Sequence, residues 1–83
     1  MARRLTDTYF VEYTMEISGI LVNGKEQSRV KRNGKGLFVI SENDLSIIIG
    51  IKKILNLQLV AEYNFYDTPP SVSDLTIIDI RPL

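Results

Sequence analysis

Lys25, Arg29, Lys31, Arg32 and Lys35 put five cations in one short segment, with Glu26 as its only acid. Cations at this density suit two kinds of surface, the phosphate oxygens of a nucleic acid and the carboxylates of an acidic protein. They also suit an exposed edge strand, which charge protects against pairing with other chains. On a strand, Arg29 and Lys31 point to one face and Arg32 to the other, so both faces cannot be core. The segment is therefore expected at an exposed sheet edge, where serine in place of Arg29, Lys31 or Arg32 changes stability by no more than about 0.5 kcal/mol each. A protein partner is the first reading. Nucleic acid is the second, because the chain has no net charge and no aromatic residue is interleaved with the basic ones. Phe10 and Tyr66 belong with these residues on other grounds. Each falls on an otherwise polar strand face, where an aromatic side chain fits a contact surface.

Other chemistry is sparse. The 83 residues include no histidine and no cysteine, which removes the commonest general base, the commonest metal ligands and any disulfide framework. Catalysis would have to be built from Asp, Glu, Lys, Ser, Tyr or Arg, and no pair among them has a spacing that predicts convergence. Glu12 and Glu16 share a solvated strand face, and Asp79 with Arg81 reads as a same-face ion pair. Gly34-Lys35-Gly36 contains a G-x-G but lacks the third glycine and the strand-to-helix setting of a phosphate loop, so it reads as a turn. No enzyme activity, cofactor or metal is expected. Residues 1–36 hold seven basic and four acidic side chains, and residues 37–83 hold three and six, so the charge is polarised along the chain.

The elements that position these residues follow from periodicity. Tyr9, Val11, Tyr13, Met15 and Ile17 alternate with polar residues and predict a strand. Gly19 predicts a bend in it. Asn23-Gly24 supplies the two positive-φ positions of a type I′ turn, so Lys25 to Arg32 is expected to return antiparallel. Asn33 to Gly36 is a second turn signal, and Leu37 to Ile40 is then a third short strand or a continuation of the second past a bulge. Ser41-Glu42-Asn43-Asp44 reads as a capped helix start. From Leu45 to Leu55 the apolar residues span an arc of roughly 220°, wider than one sheet needs. A strand is the competing reading there, since Leu45, Ile47, Ile49 and Ile51 also alternate. Lys52-Lys53 before Asn56 marks the expected helix end. Leu57 to Tyr66 returns to period two and predicts a strand. Residues 67–74, with Pro69 and Pro70, are expected to be irregular, and Leu75 to Arg81 to form the closing strand. Tyr9, Tyr13, Tyr63 and Phe65 fall on the apolar faces and are expected in the core.

The order is β-β-(β)-α-β-β, an α+β domain with an antiparallel sheet and one helix packed on one face, in a single small domain of residues 1–83. No secretory signal or spanning stretch is read, and a cytoplasmic location is the expectation. The opening hairpin Tyr9 to Arg32, the capped segment Val39-Ile40-Ser41-Glu42 and the terminal strand Leu75 to Arg81 running into Pro82-Leu83 resemble the small β-β-α-β proteins of phages and other mobile elements. Some of those are anti-CRISPR proteins or other inhibitors of host proteins. The resemblance covers most of the chain and is carried by element order, from which the strand Leu57 to Tyr66 departs. It implies a non-enzymatic protein-interaction module that inhibits a host protein or nucleoprotein complex. The thin core of so short a chain and the wide apolar arc of the helix add the expectation of a homodimer.

Overall fold

The computed structural model describes residues 6–27, 30–41, 44 and 46–83. Among the described residues, five strands and one helix follow in the order β1 Thr6–Ser18, β2 Leu21–Val22, β3 Lys25–Glu26, β4 Val30–Ser41, α1 Ile47–Glu62 and β5 Ser71–Pro82. Strands β4, β1 and β5 form a three-stranded antiparallel sheet in that order, with β1 in the middle. Strands β2 and β3 form a separate two-stranded hairpin. The α+β class with one helix on an antiparallel sheet is thus as the sequence predicts.

The alternation in β1 works as expected. Val11, Tyr13, Met15 and Ile17 are buried under the helix, and Glu12, Thr14 and Glu16 face the other way. Gly19 takes φ 93°, a value that favours glycine, and the chain leaves the large sheet there. Asn23 at φ 52° and Gly24 at φ 77° make the positive-φ turn between β2 and β3.

Five expectations are corrected. Asn33 to Gly36 is not a turn, because β4 runs through it with an unbroken register from Val30 opposite Ile17 to Ser41 opposite Thr6. The second strand and the third are therefore one strand without a bulge, and the Lys25–Glu26 part belongs to the small hairpin. The helix begins at Ile47, not at Ser41. Ser46 is its cap, in extended conformation with its hydroxyl accepting from the Ile49 amide at 3.1 Å. Asp44, the predicted capping carboxylate, instead closes a turn, accepting from the Ser41 amide at 3.1 Å, and Glu42 lies outside the described residues.

The helix also does not end at Asn56. It runs to Glu62, and the Tyr63 amide donates to the Leu59 carbonyl at 2.9 Å. The predicted strand Leu57 to Tyr66 is helix and turn. The physical reason is the burial of Ile51, Leu55 and Leu59 at helical spacing, which outweighs a chance alternation through residues 57–65. Finally, Ser71 to Asp74 is strand, so the irregular segment is shorter than predicted. Strand β5 carries two bulges, at the register shifts between Glu12 and Tyr13 and between Glu16 and Ile17.

The sheet curls around the helix. Gly50 lies so close to Ile40 that a Cβ there would come within 2.9 Å of Ile40 Cγ2, and Asn56 Oδ1 accepts from the Val72 amide at 2.8 Å. On the β1 ladder Ile40 and Val72 oppose Asp7 and Ile17, about 33 Å apart on a straight strand. Gly50 to Asn56 spans only about 9 Å of helix. The helix accordingly approaches the backbones of the outer strands β4 and β5 more closely than that of β1. The bulges in β5 are the device that permits such curvature. Phe38, Ile40 and Val72 complete one core, in which Tyr13 and Phe38 meet edge to face at 5.8 Å.

Candidate functional site

The five basic residues do not form one patch. Lys25 is exposed on the hairpin, opposite Val22. Arg29 lies outside the described residues. Lys31 and Lys35 sit on the convex, helix-free face of the sheet, directly opposite Glu16 and Glu12. The Lys31 ammonium stands 4.0 Å from the Glu16 carboxylate. Each of these glutamates has a second carboxylate across the other ladder, Asp74 opposite Glu16 and Asp79 opposite Glu12. Rows of one cation and two anions therefore cross the sheet, and the positive potential a phosphate backbone needs is cancelled within the protein.

Arg32 points to the opposite face, as alternation requires, but it is half-buried there. Its guanidinium donates to Glu62 at 2.8 Å and to the Tyr63 hydroxyl at 3.2 Å, tying the edge strand to the end of the helix. The hydrogen bond to Glu62 raises the Arg32 pKa above its ordinary value, partly offset by burial. Strand β4 is an edge strand, as the charges predict. Arg32, however, is a clamp between elements.

Phe10 lies on the convex face, half-buried, opposite Leu37 on one side and Arg81 on the other. With Leu37 and Val39, both exposed, it makes a small apolar end to an otherwise charged face. Arg81 Nε donates to Asp79 at 2.9 Å, the ion pair the sequence predicts. Tyr66 is not on a strand. Its hydroxyl bonds the Leu21 backbone at 3.2 and 3.3 Å and pins the β2–β3 hairpin to the loop after the helix. Phe10 thus shares the convex face with Lys31 and Lys35, diagonal to Lys35, whereas Tyr66 is at a separate place.

Two features are more prominent, the first indicated only in part by the wide apolar arc and the second missed by sequence reasoning. One is the outer face of α1, where Ile49, Leu57 and Val60 are about half exposed or more and, with Lys52, Lys53 and Asn56, line a groove of about 590 Å³. Running the helix through residue 62 would have exposed this stripe in the sequence. The other is Phe65, expected in the core and in fact 74% exposed. It stands at the rim of a cleft of about 600 Å³ between the hairpin and the loop after α1.

Among the described residues no cluster of three metal-binding side chains occurs, and no helix is long and apolar enough to cross a membrane. Comparison with protein-family models, with curated proteins and with solved structures finds no match.

Proposed function

We propose that the protein is a non-enzymatic protein-interaction module that forms a homodimer through the outer face of α1. The observation that carries this reading is the symmetry of the exposed stripe. At 100° per residue Ile49, Lys53, Asn56 and Val60 fall within an arc of about 60°, with Lys52 and Leu57 at its borders. Two such helices placed antiparallel about a two-fold axis between residues 54 and 55 bring Ile49 against Val60, Lys52 against Leu57 and Lys53 against Asn56. Every lining residue of the groove then has a partner, as an isologous interface requires. The lysine stems extend the apolar contact while their ammonium groups stay in water. Lys53 is already neutralised by Asp44 at 3.6 Å, which lowers the repulsion between the two copies.

One helix face buries on the order of 500 Å² per protomer, less than the roughly 800 Å² of a standard interface. The dimer is therefore expected to dissociate on dilution. Sedimentation equilibrium between low micromolar and millimolar protein tests it. A mass rising toward twice 9.4 kDa, abolished by Leu57→Glu with the circular dichroism spectrum unchanged, is the expected result. A monomer mass throughout overturns the pairing. The cancelled charge on the convex face favours a protein target over nucleic acid.

A further inference from the structure

We infer that the cleft between the β2–β3 hairpin and the loop after α1 binds a lysine or arginine side chain from a basic segment of a partner protein. This names the partner chemistry of the interaction module and rests on that reading. The cleft, at about 600 Å³, has the size of a ligand pocket. Among the described residues its charged lining groups are both acids, Glu26 from the hairpin and Asp67 from the loop, and no described cation lines it. Its aromatic wall is Phe65 and Tyr66, whose rings stand at 75° with centroids 4.9 Å apart. They make a corner, and the exposure of Phe65 leaves its ring open to solvent.

An aromatic corner beside two carboxylates is complementary to a cation. The ring quadrupole attracts the charge, the methylene stem of lysine or arginine covers the apolar wall, and the carboxylates accept charge-assisted hydrogen bonds. A neutral or acidic guest would leave the carboxylates desolvated without a partner. The corner is also fixed before binding. Tyr66 is held to the hairpin through its hydroxyl, and its amide donates to the Tyr63 carbonyl at 3.1 Å. Glu26 Oε1 accepts from the Gly19 amide at 2.9 Å, which orients the carboxylate and leaves Oε2 for the guest. The acids of the convex face are a poorer site, since Lys31, Lys35 and Arg81 share that face.

The test uses a five-residue peptide of alternating glycine and arginine, with glutamine and glutamate versions as controls, titrated into nitrogen-15-labelled protein. The arginine peptide is expected to move the amide signals of Gly19, Glu26, Tyr66 and Asp67, while the controls move none. Glu26→Gln, which keeps an acceptor for Gly19, and Asp67→Asn are each expected to weaken binding at least about fivefold, and Phe65→Ala comparably. Unchanged core signals from Val11 and Leu55 report that these variants fold. Shifts confined to Glu12 and Glu16, equal binding of the glutamine peptide, or unchanged affinity in all three variants would overturn the site. Repeating the titration on Leu57→Glu separates the two readings. Peptide binding without a dimer in the wild type leaves the cleft standing and removes the helix pairing, and a dimer without peptide binding does the reverse.

Discussion

Tyr13 and Gly34 are direct partners across the β1–β4 ladder, and the phenol of Tyr13 lies where a side chain at position 34 would stand. The glycine that looks like a turn in the sequence is the floor under a core aromatic, an arrangement in which a large ring covers the gap in an edge strand. Gly36, two residues on, has nothing within 4 Å of the place a Cβ would take. Gly34→Ala is therefore expected to cost about 1–3 kcal/mol through overpacking. Gly36→Ala is expected to stay within about 0.5 kcal/mol of wild type or to stabilise slightly, because strand glycine costs entropy. Urea denaturation of the two variants measures the difference. Equal midpoints would refute the Tyr13–Gly34 contact as the reason for glycine at 34.

The same burial bears on pH. It raises the Tyr13 pKa above the ordinary 10.0, with the nearby Arg32 charge opposing. The folded protein then keeps the phenol proton to higher pH than the unfolded chain. Stability from this group is complete below about pH 10 and falls as pH rises through the raised folded value. Tyr13→Phe is expected to show a shallower loss of stability above pH 10 than wild type. Parallel profiles for the two proteins between pH 9 and 11.5 would count against a buried neutral phenol.

Arg32 and Lys31 are sequence neighbours with different expected costs. Lys31→Ser removes an exposed side chain whose partner is 4.0 Å away, and is expected to change stability by less than about 0.5 kcal/mol. Arg32→Ser breaks the link to Glu62 and Tyr63, with an expected cost of about 1–2 kcal/mol. Because both members of the ion pair are substantially exposed, screening limits the coupling in an Arg32→Gln, Glu62→Gln double-mutant cycle to about 0.5–1 kcal/mol. That coupling should shrink in 1 M salt. A serine variant at 32 as stable as wild type would restore the expectation from sequence of three interchangeable edge cations.

The convex face makes a prediction about nucleic acid. With Glu16 and Glu12 opposite Lys31 and Lys35, anisotropy with mixed oligonucleotides at physiological salt is expected to give a Kd weaker than about 10⁻⁴ M. Glu12→Gln with Glu16→Gln is expected to tighten it and steepen its salt dependence. Micromolar binding by the wild type would make nucleic acid the principal partner instead.

The alternation from Tyr9 to Ile17, the Asn23-Gly24 turn and the closing strand were legible in the sequence, because a period of two and a positive-φ dipeptide are local properties of the chain. Charge alone also marked β4 as an edge. What local pattern left open was decided by contacts distant in sequence. Leu57, Leu59, Ala61, Tyr63 and Phe65 alternate as well as any strand, yet Leu59 continues the helical seam of Ile51 and Leu55, and burying that seam in the curled sheet outweighs the alternation. Gly34 reads as part of a turn until Tyr13 supplies a reason for glycine within a strand. The grouping of Glu26 and Asp67 with Phe65 and Tyr66 joins residues about forty positions apart. Only the docking of the hairpin on the loop after α1 brings them to one cleft.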